Sequence, residues 1–164
     1  MLSLTADYAL RATLVLARRH GEGPVRVERI AAATGAPRNY LSKTLHALTK
    51  AGIVTSARGP AGGFTLAVAP DALTLARVID CFDGPRVQSR CLLGTGPCDA
   101  ARPCAAHHRW TAIAHARRAP LTTTTVADLL AGDASLPAAP DDASTAAAPS
   151  PDVRTDPRAA ASAA

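Results

Sequence analysis

From Thr5 to about Arg19 apolar residues recur at helical spacing, with Tyr8, Ala12 and Val15 on one stripe, Leu10, Leu14 and Ala17 beside it, and Arg11, Arg18 and Arg19 left outside. This pattern predicts an amphipathic first helix, ended by His20-Gly21-Glu22-Gly23-Pro24. Val27, Ile30 and Ala31 mark a short second helix stopped at Gly35. Pro37 suits the first turn of a third helix, whose apolar face is Leu41, Leu45 and Leu48 and which ends at Gly52. Two helices joined by the tight turn Thr34-Gly35-Ala36-Pro37 make a helix-turn-helix candidate. Two β-prone runs follow, Ile53-Val54-Thr55-Ser56 and Phe64-Thr65-Leu66-Ala67-Val68, flanking a Gly/Pro-rich loop, which predicts a hairpin. Three helices and then a hairpin is the order of a winged helix-turn-helix.

Thr74 can cap a fourth helix that carries Leu75, Val78, Ile79 and Phe82 on one face and closes at Gly84-Pro85. The stretch from Gly84 to Pro103 is rich in Gly, Pro and Cys and reads as an irregular loop, long enough to suggest a function of its own. A fifth helix is predicted from about Ala105 to Arg118, with Trp110, Ile113 and Ala114 on one stripe. Thr125 with Asp128 three residues on resembles a capping box opening a short helix over Val126 to Ala131. The fold class expected is mainly α with a small β-hairpin wing. It divides into a winged helix-turn-helix over 1–83, a cysteine-rich loop and long helix over 84–131, and a disordered tail over 132–164.

Charge sharpens that division. The 164 residues carry a net +5, but residues 1–131 hold 16 Lys and Arg against 8 Asp and Glu, whereas 132–164 hold 2 against 5. The tail is built of Ala, Pro, Ser, Thr and Asp with five prolines, which would interrupt any helix its alanines favour. A basic body favours a polyanionic partner. With aromatics at only 3%, stacking platforms for single strands have little to build on, so duplex DNA is the expected polyanion and RNA is not expected. No apolar run approaches the ~20 residues that span a bilayer, and the N-terminus opens into a helical pattern rather than a signal peptide, so no membrane partner and a cytoplasmic location are expected.

The residues that would meet base edges sit at the start of the third helix: Arg38, Asn39, Tyr40, Ser42 and Lys43. Arg pairs with guanine and Asn with adenine, and Lys43 or Thr44 suits a phosphate. Arg58, with Gly59 at the mouth of the hairpin, suits a minor groove. Tyr40 fits core packing equally well, and a winged helix used only for protein contacts is the plainer alternative. No nucleophile with its base, no carboxylate pair and no phosphate-binding glycine loop is visible, so an enzyme is not expected.

All four cysteines, Cys81, Cys91, Cys98 and Cys104, fall within 24 residues. Cys91, Cys98 and Cys104 are separated by six and five residues and followed by His107 and His108, a set of soft ligands that iron–sulfur clusters and zinc both accept. Structural zinc commonly uses tighter knuckles, so the spacing favours a cluster, with zinc, a thiol redox switch and inert thiols as alternatives. Arg86, Arg90, Arg102 and Arg109 crowd the loop, and nearby cations favour thiolates. Cys81 sits among Val78, Ile79 and Phe82 and reads as a small buried hydrophobe.

The segment Leu4-Thr5-Ala6-Asp7-Tyr8-Ala9-Leu10-Arg11-Ala12, the loop Arg58-Gly59-Pro60-Ala61-Gly62-Gly63-Phe64 and the three loop cysteines together resemble the bacterial Rrf-type regulators, the family that includes IscR and NsrR. The resemblance covers residues 1 to about 131. It implies a homodimeric transcription factor, a repressor by preference, whose operator affinity is controlled by an iron–sulfur cluster that senses redox, nitric oxide or iron–sulfur status. It implies cluster ligation by Cys91, Cys98 and Cys104, and subunit pairing by the helix that contains Trp110 and Ile113. Cys104-Ala105-Ala106-His107 is similar to the pattern in which a histidine three after the last cysteine completes a 2Fe-2S site, which makes His107 the first choice for fourth ligand. Asp7 is the rival, since an aspartate of the first helix ligates a 4Fe-4S cluster in other members. The six-residue gap between the first two cysteines departs from the shorter gap of those members, so 2Fe-2S is preferred with the cluster type open. A metal-free thiol sensor is the alternative function.

Overall fold

In the computed structural model, which describes residues 2–84, 91–94, 96 and 99–132, the chain begins with α1 (Leu4–Ala17). Ser3 caps it by accepting from the Ala6 amide at 3.2 Å. Small residues on its inner face, Ala6, Ala9 and Ala12, are fully buried and let neighbouring helices approach closely. Packed against it are α2 (Val27–Thr34) and α3 (Arg38–Lys50), joined across Gly35, whose left-handed φ of 70° caps α2 without the strain a side chain would meet. Pro37 is extended and precedes α3 instead of lying in its first turn.

The wing is β1 (Val54–Ala57) paired antiparallel with β2 (Gly63–Leu66), Val54 opposite Leu66 and Ala57 opposite Gly63. Each strand is shifted slightly from its expected range. Val25 adds a bridge to Phe64, with both amide–carbonyl bonds at 2.9 Å. A Cβ at Gly63 would lie 2.5 Å from the Val25 carbonyl oxygen, so this close approach requires glycine.

α4 (Leu75–Asp83) is capped by Thr74 and faces α1. Beyond the cysteine segment, α5 (His107–Thr123) and α6 (Val126–Ala131) complete the described elements. α5 runs past the expected stop at Arg118 and carries Pro120 inside it. The ring removes the amide that would donate to the Ala116 carbonyl, and beyond it the Thr122 and Thr123 hydroxyls donate to the Ala119 carbonyl at 2.7 and 3.2 Å in the last turn. The Thr125–Asp128 capping box forms as predicted, and the Thr125 amide and hydroxyl hold the Asp128 carboxyl below the usual carboxylate range. The link from α5 to α6 bridges back to the start of α4 at Thr74–Thr125, with the Val126 amide donating to the Leu73 carbonyl at 2.8 Å.

The core is aliphatic. Leu16 of α1 is buried in one cluster with Ile30, Leu41, Leu45, Leu48, Ile53, Leu73, Val78 and Val126. Burying each such side chain contributes about 1.5–3 kcal/mol. Among the described residues no helix is long and apolar enough to cross a membrane. The expected acidic tail, beyond Gly132, lies outside the described residues, as do Arg86, Arg90 and Cys98.

Candidate functional site

The exposed face of α3 carries Arg38, Asn39 and Lys43, with Ser42 half-buried beside them. They are held outward because Leu41, Leu45 and Leu48 fix the opposite face in the core. Two other candidates on this helix are turned inward. Thr44 is fully buried and donates to the Tyr40 carbonyl at 3.1 Å, which takes it off the surface that a phosphate would reach. Tyr40 is half-buried, its hydroxyl hydrogen-bonded to Thr5 and its ring edge-on to Tyr8 at 5.8 Å. It packs α3 onto α1, and this commits its polar end within the protein. The spacing 41, 44, 45, 48 already placed Thr44 on the apolar stripe.

Arg38 makes an ion pair with Glu28 of α2 at 2.5 Å, both side chains largely exposed. In the wing, Arg58 and Gly59 are exposed, and Gly59 adopts φ 105°. Two contacts that periodicity did not flag set the wing's position. The Arg26 guanidinium donates to the Pro60 carbonyl, and the His46 ring stands edge-on to Phe64 at 5.9 Å while its Nδ1 meets the Ser42 carbonyl at 2.6 Å. The wing is therefore braced against the start of α2 and against α3.

At the other end of the molecule the structure brings Cys91 and Cys104 together, Sγ to Sγ 3.5 Å across thirteen residues of chain. Both are half-buried and neither forms a disulfide. The Cys91 amide donates to the Gly96 carbonyl at 3.0 Å, and the turn folds close enough that a Cβ on Gly94 would touch the Cys91 sulfur at 3.5 Å. Cys104 leads directly into α5, since its carbonyl accepts from the His107 amide at 2.9 Å. His107 is the first residue of α5, its ring 5.3 Å from that of His108. Asp7 lies on α1 and receives the Arg11 Nε at 2.9 Å. Among the described residues no three His, Cys, Asp or Glu gather to hold a metal ion, and Cys98 is outside them.

The thiol pair suits a shared metal. A tetrahedral ion with metal–sulfur bonds of about 2.3 Å holds two thiolates roughly 3.8 Å apart. The observed 3.5 Å is within a few tenths of that separation. Cys81 is a different kind of cysteine. Half-buried where a buried residue was expected, it packs against the core from α4 and donates to the Arg77 carbonyl at 3.2 Å, and burial, followed by the charge of Asp80, pushes its thiol pKa up. Alkylation of Cys81 by iodoacetamide at pH 8 should accordingly be several-fold slower in the folded chain than after unfolding in urea, read by mass spectrometry of the peptide. Equal rates in the two states would contradict that placement.

α5 buries no residue in the single chain, and Ile113 is 51% exposed with Trp110 half-buried. Its firmest tie to the body is Arg118, which forks onto both carboxylate oxygens of Asp80 on α4. That hydrogen bonding raises the Arg118 pKa and keeps the pair charged.

Comparison with known proteins places this arrangement. The Rrf2 family model, described as an iron-dependent transcriptional regulator, matches residues 2–132. The transcriptional regulator CymR of Bacillus subtilis is 33% identical over 128 residues, spanning 78% of this chain and 88% of that one. IscR of Erwinia tasmaniensis is 32% identical over 129 residues, 79% and 78% of the two chains. The solved structure of B. subtilis CymR, described as that organism's global cysteine regulator, superposes with a TM-score of 0.70 at 31% identity, covering 80% of this chain and 96% of that one. The chain belongs to the Rrf2 family of winged-helix, DNA-binding transcriptional regulators.

Proposed function

We propose that this regulator is a homodimeric repressor that reads its operator with α3 and the wing and is switched by a 2Fe-2S cluster on Cys91, Cys98 and Cys104, with His107 as fourth ligand. The observation that carries this reading is the approach of the Cys91 and Cys104 sulfurs to 3.5 Å at the foot of α5. The likeness to IscR supports it, and so does the engagement of Asp7 with Arg11 on its own helix, which favours His107 over Asp7. A bound cluster supplies reversible one-electron chemistry and sensitivity to oxidants and nitric oxide. The chain's own part is to couple the thiol pair to DNA. Cys104 carries the first turn of α5 on its carbonyl, α5 offers Trp110 and Ile113 to a second copy, and Arg118 transmits any shift of α5 to α4 through Asp80. A 17-residue helix with no buried face is marginal alone and gains stability from a partner. Arg38, Asn39, Ser42 and Lys43 read or hold the major groove, and Arg58 with Gly59 enters the minor groove.

One observation favours a second reading. The same sulfur pair needs to close by only about 1.5 Å to reach disulfide length, the change a thiol switch requires. In that case the two thiols lose two electrons and two protons to an oxidant such as hydrogen peroxide. Anaerobic purification of the full chain separates the two. Brown protein with iron and acid-labile sulfide in equal amounts is expected, with operator affinity that changes when the iron is removed. Colourless protein whose affinity responds to peroxide replaces the cluster with the thiol switch. Affinity unaltered by either treatment removes the sensing claim.

A further inference from the structure

The turn between α1 and α2, the start of α2 and the wing line a half-open cavity of about 370 Å³. Its charged lining is Arg19, Arg26, Arg29 and Glu22, three cations to one anion. Glu22 is already paired with Arg19 at 3.5 Å. Arg26 gives one hydrogen bond to the Pro60 carbonyl, an uncharged acceptor that leaves its full positive charge in place. Arg29 is exposed and has no side-chain hydrogen bond or ion pair among the described residues. A concave site with two uncompensated guanidinium groups suits an oxyanion, because the planar fork matches carboxylate or phosphate oxygens two at a time.

We infer that this cavity takes a phosphate group, and that the sugar–phosphate backbone of the operator, outside the segment read by α3, supplies it. This rests on the DNA-reading function proposed above. Ala61 and Gly62 of the wing form one wall of the cavity. Only three peptide units separate Arg58 from Ala61, at most about 10 Å of chain. A duplex gripped by Arg58 therefore presents several backbone phosphates within reach, given about one charge per 1.7 Å of axis. Arg26 then serves twice, by fixing the wing through Pro60 and by facing the phosphate.

The test is Arg29→Ala in the full chain, with binding to two duplexes followed by fluorescence anisotropy over a salt series. One duplex carries the sequence that the wild type selects from a random library, and the other is a scrambled version. Arg29 is exposed and makes no side-chain hydrogen bond or ion pair among the described residues, so a circular dichroism spectrum and thermal midpoint like the wild type are expected. Affinity should fall by the same factor on both duplexes, roughly three- to tenfold, and the slope of log K against log salt should shrink by about 0.9 per cavity. Asn39→Ala, by contrast, should weaken the selected duplex alone. A second arm adds inorganic phosphate in place of chloride at equal ionic strength and follows the thermal midpoint. A phosphate-specific rise lost in Arg29→Ala, with an unchanged DNA salt slope, would keep the oxyanion site and overturn DNA as its source. No slope change and no phosphate effect would overturn the site while the DNA-reading function stands. A wild type that binds neither duplex at any salt would instead overturn that function and the operator as phosphate source.

Discussion

Cys104→Ser should yield a protein that purifies colourless and nearly iron-free under anaerobic conditions, while Cys81→Ser retains the iron of the wild type. The two substitutions are chemically identical and differ only in where they fall. Cys104 faces Cys91 at 3.5 Å and carries the first turn of α5 on its carbonyl, so its sulfur belongs to the pair proposed to hold the cluster. Serine keeps the size and the backbone but offers an alkoxide only at a pH far above neutrality, and a hard oxygen is a poor match for iron in a cluster. Cys81 packs against the core, its thiol pKa raised by burial and by Asp80, and is not one of the proposed ligands. Visible absorption, iron and acid-labile sulfide per chain, and operator affinity should move together in Cys104→Ser and stay put in Cys81→Ser. Full iron in the Cys104 variant would sink the ligand assignment. Iron lost from the Cys81 variant, with the fold intact, would place a ligand on α4.

The features that local sequence can encode are those that were legible before the structure. α1, α2, α3, α4 and α6 follow from apolar spacing and from stop signals such as Gly35, Gly52 and Gly84, and the Thr125–Asp128 box needs only three residues to be recognised. α5 is longer than its pattern suggests because Pro120 normally marks an end, and the threonine hydroxyls that bond back to the Ala119 carbonyl act only once the helix is formed. The split within α3 between surface and core residues was partly readable. Leu41, Leu45 and Leu48 define a stripe that includes Thr44, yet a threonine reads as polar until its hydroxyl is seen returning to the backbone four residues earlier. What no local pattern carries is the pairing of distant charges. Arg118 pairs with Asp80 across 38 residues, Arg26 reaches the uncharged Pro60 carbonyl across 34, and even Arg38, which pairs with Glu28 on the preceding helix, had many possible partners. The cavity beside the wing has the same origin, since its cations come from the turn after α1 and from α2 while one wall comes from the wing.

Leu45→Ala should lower the unfolding free energy by about 2–5 kcal/mol, the usual cost of removing a fully buried leucine side chain and leaving part of its volume empty. Leu45 lies at the centre of the α3 stripe with Leu41 and Leu48, all fully buried, and the helix is pressed onto α1 there. Domains of this kind are stable by only about 5–15 kcal/mol, so the change takes a large share of the total. In urea, with slopes of about 1–3 kcal/mol per molar, the midpoint should move down by roughly 1–3 M. Lys43→Ala, two residues away on the exposed side of the same helix, should leave the midpoint within experimental scatter, because it empties no cavity and breaks no buried contact. The DNA results should run the other way. Lys43→Ala should weaken operator binding at full stability, whereas Leu45→Ala, measured below its own unfolding transition and corrected for folded fraction, should bind with affinity close to wild type. Equal loss of stability in both variants would mean that α3 does not divide into a packing face and a reading face, and the assignment of Arg38, Asn39, Ser42 and Lys43 to DNA would lose its structural basis.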